Sequence, residues 1–303
     1  MDAIIALSLS FVLGLNLVVR KKIAEDAWKV LNAVIINIAM PAIILKNIYL
    51  MQLTPGLLVV GLVPWAIYAT GLAFFLACGR MLGWGNATIG ALALTAGYGN
   101  NAFIGLPLIE ALFGREWIGV GAVFAQVGIT LGTNTAGVLT AAWFSGSGGV
   151  SPRQVVSRVL SFPPFQAFLA GFACKLWFIP EPALQALGII GSMLGPLVMI
   201  SVGMQLRFGG AREVALPLGI ALIFKLVVAP VVALLILLGA GIGGTFAQVV
   251  MLQAAVAPGI TGAIIAAEFA LNKRIPPMVV SAGTIFSVLT IPPWLIIARW
   301  VFP

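Results

Sequence analysis

The chain has 303 residues, of which 61% are hydrophobic and only 8% charged, with a mean hydropathy of +1.15, whereas a soluble domain carries about 25% charged residues. Sixteen Lys and Arg against eight Asp and Glu give +8, but there is too little polar surface for a nucleic-acid-binding protein, and the composition is that of an integral membrane protein. With no His, and with Cys78 and Cys174 both inside apolar runs, His-based catalysis, multi-Cys metal cages and a disulfide framework lack their raw material.

A bilayer core of about 30 Å takes about 20 apolar residues as helix, and inside it the backbone must satisfy its own hydrogen bonds. Ten apolar runs fit: 1–19, 28–46, 57–78, 86–109, 117–143, 159–178, 183–205, 215–239, 246–269 and 277–302. The alternating segments of a membrane β-barrel are absent. The predicted fold is an all-α polytopic membrane protein with ten transmembrane helices.

The first run is preceded by no basic residue and followed at once by Arg20, Lys21 and Lys22, so it reads as a retained helix rather than a signal peptide. Positive charge then separates by side. Eleven basic residues, Arg20, Lys21, Lys22, Lys29, Arg80, Arg153, Arg158, Arg207, Arg212, Lys273 and Arg274, fall in the loops that follow odd-numbered spans. Four, Lys46, Arg115, Lys175 and Arg299, fall on the other side. Because basic loops stay in the cytoplasm, the expectation is a multi-pass protein of the cytoplasmic (inner) membrane with both termini outside.

The segment 145–157 (SGSGGVSPRQVVS) reads as a cytoplasmic connecting loop between residues 1–144, with spans 1–5, and 158–303, with spans 6–10. Five is odd, so the second half enters the membrane from the opposite face. Breaker positions correspond: Pro41 in the second span with Pro196 in the seventh, and GYGNNAFIGLP in the fourth with AVAPGITGAII in the ninth. This pattern indicates two inverted repeats whose fourth and ninth helices are discontinuous. Other glycines, such as Gly191 and Gly195, read as close-packing positions.

In the fourth span Gly97 and Gly99 permit unwinding, Asn100 and Asn101 offer amides, and Pro107 removes a backbone donor. The ninth supplies Pro258, Gly259, Thr261 and Gly262. A half-helix that restarts inside the membrane presents free N–H groups and a partial positive charge, which suits a carboxylate. In the fifth span Gln126, Thr130, Thr133 and Asn134 fall on roughly one helical face, with Thr135 beside them. Each of these, and Gln253, serves equally well as an interhelical hydrogen-bonding residue, worth about 0.6 kcal/mol.

Lys225 is the one charge expected deep in a span. It can offset an anionic substrate, carry a proton, or stand as a structural cation beside carbonyls freed by a helix break. Glu110 and Glu268 end the fourth and ninth spans and read as boundary residues, leaving no carboxylate at mid-depth.

Three stretches, GNNAFIGLPLIEALFG in span four, PGITGAIIAAEFALN in span nine and VVSAGTIFSVLTIPP in span ten, resemble the auxin efflux carrier family, within the superfamily of bile-acid sodium symporters. The layout resembles that family over the full length. The resemblance implies an elevator-like carrier in which spans 1, 2, 6 and 7 form a scaffold, usually dimeric, and spans 3–5 and 8–10 a moving core where broken helices 4 and 9 cross beside the substrate. The family's crossover Asn matches Asn100, and the next position, often Thr, is Asn101. Plant members have Pro where this chain has Gly99, and the ninth-span proline is displaced to Pro258, after Ala257. With the short central loop, this favours a bacterial-type carrier of small carboxylates such as malonate.

The expected function is thus secondary transport, by an elevator-like carrier or uniporter, of a small mono- or dicarboxylate. The expected substrate-binding residues are Gly99, Asn100, Asn101, Gln126, Thr130, Asn134, Pro258, Gly259 and Thr261, with Gly97, Gly99, Pro107, Pro258 and Gly262 as crossover or hinge positions. The alternatives are a sodium-coupled symporter and a non-transporting sensor that keeps a transporter fold. An enzyme is disfavoured because no nucleophile, acid or metal constellation is present. No metal or cofactor is expected, coupling to protons or sodium stays open, and the partners expected are the organic anion, the lipid bilayer and a second copy of the chain through the scaffold, without nucleic acid.

Overall fold

The computed structural model describes residues 2–20, 22–24, 26–146, 151–205 and 214–303. Met1, Lys21, Arg207 and Arg212, and residues 147–150 of the connecting loop, lie outside them. The described residues are all-helical, with no β-strand and a single isolated β-bridge.

In chain order the α-helices are α1 (Asp2–Val19), α2 (Trp28–Val34), α3 (Met40–Leu50), α4 (Gly56–Met81), α5 (Asn86–Gly97) and α6 (Leu106–Leu112). There follow α7 (Ile118–Val123), α8 (Val138–Ser145), α9 (Pro152–Leu160), α10 (Pro163–Ala173), α11 (Glu181–Ser192) and α12 (Leu194–Gln205). The last five are α13 (Ala215–Ile223), α14 (Ala229–Gly239), α15 (Gly244–Ala255), α16 (Ile260–Glu268) and α17 (Ile275–Val301). Wide π-type turns occupy Ile35–Ala39, Asn101–Gly105, Phe124–Thr130, Thr133–Gly137 and Phe224–Val228.

Among the described residues six continuous stretches are long and apolar enough to cross a bilayer: Trp28–Leu50, Gly56–Met81, Arg115–Ser145, Glu181–Gln205, Ala215–Gly239 and Ile275–Val301. Counting the broken pair Pro152–Leu160 and Pro163–Leu176 as one makes seven. This is fewer than the ten apolar runs, and the reason is local. The fourth run is divided between α5 and Asn101–Leu112, the ninth between α15 and α16, and the apolar helix of the first run, Ile5–Val19, is shorter than a full span. Pieces of 9 or 12 residues rise about 1.5 Å per residue, so they reach about 14 to 18 Å, roughly half of a 30 Å core.

Two compact units emerge. The first comprises Met1–Leu53, Ala102–Ala122 and Leu160–Leu206. Here α1 lies along α12, and glycine makes the approach possible: a methyl group on Gly14 would strike the Ile200 carbonyl. Gly191 sits against Ile43 and Gly195 against Leu7, in keeping with a packing role for both. Lys175 donates to the carbonyls of Tyr49 (2.7 Å) and Met51 (2.5 Å), so a cation neutralises carbonyls left over where α3 ends. Arg115 and Glu110 pair at 2.7 Å.

The second unit comprises Thr54–Asn101, Val123–Val159 and Arg207–Pro303. Its centre is α5, whose residues from Ile89 to Gly97 are all buried. Around α5 pack α4, α8, α16 and α17. The π-type turns free backbone carbonyls that an α-helix would have used. Two of these are taken by indoles: Trp65 on α4 donates to Val127 O at 3.0 Å, and Trp294 on α17 to Leu226 O at 2.8 Å.

Candidate functional site

Both interrupted helices of the second unit break at similar chemistry. After α5 the chain becomes extended at Tyr98 (φ −110°, ψ 154°), and after α15 at Val256 (φ −67°, ψ 162°) and Gly259 (φ −79°, ψ 127°). Extended backbone in an apolar interior carries N–H and C=O groups that must find partners. Here the two breaks satisfy each other. Gly99 and Pro258 form an antiparallel bridge, Asn100 N donates to Ala257 O at 2.9 Å, and Gly259 N donates to Tyr98 O at 2.9 Å and to Thr95 O at 3.2 Å. Side-chain volume is excluded alongside, since a methyl group on Gly262 would collide with the Leu94 carbonyl.

The side chains around the bridge are polar and buried. Asn101 donates from Nδ2 to the backbone oxygen of Gln253 at 2.6 Å and to its Oε1 at 2.7 Å. Among the described residues its Oδ1 receives no hydrogen bond, and Asn100 Nδ2 finds no acceptor. Lys225, carried on the Phe224–Val228 turn and 1% exposed, donates to Ala254 O at 2.8 Å. That carbonyl belongs to the last turn of α15, where a cation meets the negative end of the helix dipole. Lys225, Gly97, Gly99, Asn101, Gln253 and Ala254 help to line a cavity of about 10 Å³ as available to a water centre, which is room for one water and not for a carboxylic acid. Tyr98 is held by stacking on Tyr68 at 4.1 Å, and Tyr68 donates to Thr140 Oγ1 at 2.7 Å.

Residues 1–148 and 150–295 match the membrane transport protein family. The chain belongs to this family, that of the auxin efflux carriers. It is 28% identical over 308 residues to an uncharacterized transporter of Methanothermobacter thermautotrophicus, covering 98% of this chain and 97% of that protein. It is 25% identical over 284 residues to another uncharacterized transporter, from Methanocaldococcus jannaschii, covering 89% of each. The protein is a multi-pass membrane transporter.

In this transporter Gly97, Gly99, Asn100, Asn101, Pro258, Gly259 and Gly262 come together at the paired breaks, all in the second unit and all buried. Thr261 is exposed in the first turn of α16. Pro107 belongs to the first unit, in the first turn of α6.

The fifth-span residues behave differently. Thr133, Asn134 and Thr135 return hydrogen bonds of 2.6–2.8 Å to carbonyls four residues back, occupying acceptors that the π-type turns release. Thr130 donates to Gln126 Oε1 at 3.0 Å, while Gln126 Nε2, fully buried, has no protein acceptor. Sequence reasoning set Gln253 aside as ambiguous and passed over Tyr68 and Tyr98. A tyrosine beside a glycine break is the readable signal, because its ring needs a fixed place.

Proposed function

We propose that this transporter carries a small organic anion, a mono- or dicarboxylate, by an elevator-like or uniport mechanism, with the carboxylate held at the paired breaks. The observation that carries this reading is Asn100: its backbone is fixed by Ala257, the residue is 5% exposed, and its buried amide Nδ2 has no acceptor among the described residues. A buried donor without a partner costs about 1–3 kcal/mol, and an oxygen-rich anion supplies what it lacks. The first turn of α16, with Thr261 exposed beside it, adds the free N–H groups of a helix start. Gly99, Asn101, Pro258 and Gly259 shape the backbone there. Gln126, Thr130 and Asn134 line the approach.

Ten spans in two inverted five-span repeats, with broken helices 4 and 9, fit the two short-helix pairs and their like-for-like breaks. A scaffold built from spans 1, 2, 6 and 7 and a moving core from spans 3–5 and 8–10 is supported by the division into two compact units except at Ala102–Ala122, the end of span 4 and start of span 5, which group with the first unit. In this reading the scaffold forms the homodimer, and the protein lies in the cytoplasmic membrane with both termini outside. Lys225 serves as a built-in cation: it already occupies the carbonyl that a coupling ion would seek, and the adjoining cavity is too small for substrate. Transport therefore proceeds without sodium. Uptake of labelled malonate and related acids into proteoliposomes tests the reading. Asn100→Ala abolishes uptake if the site is right, and wild-type uptake in that variant overturns it. Uptake that collapses when sodium is withdrawn overturns the built-in cation.

A further inference from the structure

One end of the second unit concentrates positive charge. Arg80 sits in the last turn of α4, Arg153 and Arg158 on α9, and Lys273 and Arg274 just before α17, all exposed. These elements are tied together. Arg158 pairs with Glu268 at the end of α16 at 2.9 Å. Asn272 donates to Thr88 Oγ1 at 3.1 Å, and its Oδ1 accepts from the backbone N–H groups of Arg274 and Ile275, at 3.0 and 3.2 Å. Glu268 is the acidic residue among these groups, and it is engaged with Arg158.

The helix α9 has a specific pattern. At 3.6 residues per turn, Arg153, Gln154, Ser157 and Arg158 share one face, and Val155, Val156, Val159 and Leu160 the other. The apolar face divides again. Val159 is buried and Val155 half-buried, whereas Val156 is 55% and Leu160 50% exposed. Such a helix has three sides with three different needs: protein, hydrocarbon and a charged aqueous layer. The place that meets all three is the membrane interface. Met81 and Leu82, next to Arg80, are likewise exposed, at 85% and 45%.

We infer that this end of the unit is a docking surface for acidic phospholipid headgroups. Arg153, Arg158, Lys273, Arg274 and Arg80 reach lipid phosphates, while Val156, Met81 and Leu82 enter the acyl boundary. Basic residues near an anionic leaflet gain attraction that falls off within a Debye length. A zwitterionic surface offers no equivalent.

The test is independent of cargo. Full-length protein in detergent is mixed with phosphatidylglycerol, phosphatidylcholine or inorganic phosphate. Apparent melting temperature and, by native mass spectrometry, retained lipid are measured. Phosphatidylglycerol is retained and raises the melting temperature, phosphatidylcholine does neither, and the difference shrinks in high salt. Arg153→Gln/Lys273→Gln/Arg274→Gln, which keeps the Arg158–Glu268 pair, binds phosphatidylglycerol about 100-fold more weakly, at about fivefold per basic residue. Arg299→Gln, at the far end of α17, is unchanged. Equal retention by the triple variant and the parent, equal effects of the two lipids, or the same stabilisation from inorganic phosphate would overturn the assignment.

Discussion

Lys225 donates its buried ammonium to the carbonyl of Ala254, 2.8 Å away, at the end of a half-helix that stops inside the protein. A lone buried charge is costly unless something holds it, and here the helix terminus does. Lys225→Met leaves the carbonyl without its donor and lowers stability by about 1–3 kcal/mol, read as a lower apparent melting temperature. Lys225→Arg does not rescue it, because the adjoining cavity of about 10 Å³ cannot admit a guanidinium. Wild-type stability in either variant would show that Lys225 is not a cap.

The two neighbouring asparagines separate binding from folding. Asn101 is committed to Gln253 through two hydrogen bonds, whereas the Asn100 side chain donates to no protein group. Asn101→Ala costs about 1–3 kcal/mol of stability. Asn100→Ala, which removes a buried donor with no partner among the described residues, leaves the ligand-free protein at least as stable while transport falls sharply. Thermal melts and proteoliposome flux on both variants decide the matter, and a reversed pattern would exchange their roles.

Glycine substitutions probe the packing at the breaks. Gly262→Ala drives a methyl group into the Leu94 carbonyl, a backbone atom that cannot step aside, and the cost is at least the 1–3 kcal/mol of ordinary overpacking. Gly219, inside α13, faces open space, so Gly219→Ala is neutral or gains up to about 1 kcal/mol of helix propensity. Folded yield and melting temperature, compared side by side, report both.

The two indole caps each contribute to stability. Trp65→Phe uncovers Val127 O, and Trp294→Phe uncovers Leu226 O, each at about 1–3 kcal/mol. Both carbonyls lie on π-type turns of the same unit. They share no partner, so the double variant loses about the sum of the two, measured by thermal unfolding.

The sequence made the breaks legible because breakers and amides are rare in an apolar run: Gly97, Gly99, Asn100, Pro258 and Gly259 announce a place where helix cannot continue. It did not reveal what the breaks hold. Gln253 lies 152 residues from Asn101, and nothing local distinguishes it from a residue that bonds a neighbouring helix. For Lys225 the sequence left three roles open, and the nearby carbonyl of Ala254 favours the structural one. The helical-face argument for Gln126, Thr130, Thr133 and Asn134 assumed a regular 3.6-residue turn. The π-type turns there change the angular step, and Thr133 and Asn134 bond back to their own helix. Hydropathy likewise marked ten apolar runs but not which of them stay continuous, since length alone does not encode a break.

The pairing of the breaks also bears on how the chain is made. Synthesis runs from the N-terminus, so the extended residues Tyr98–Asn100 emerge long before Ala257 and Gly259 exist to receive them. Until then the first half holds an incomplete membrane segment whose backbone has no partner. The two breaks can close on each other only once residues 257–259 have been made.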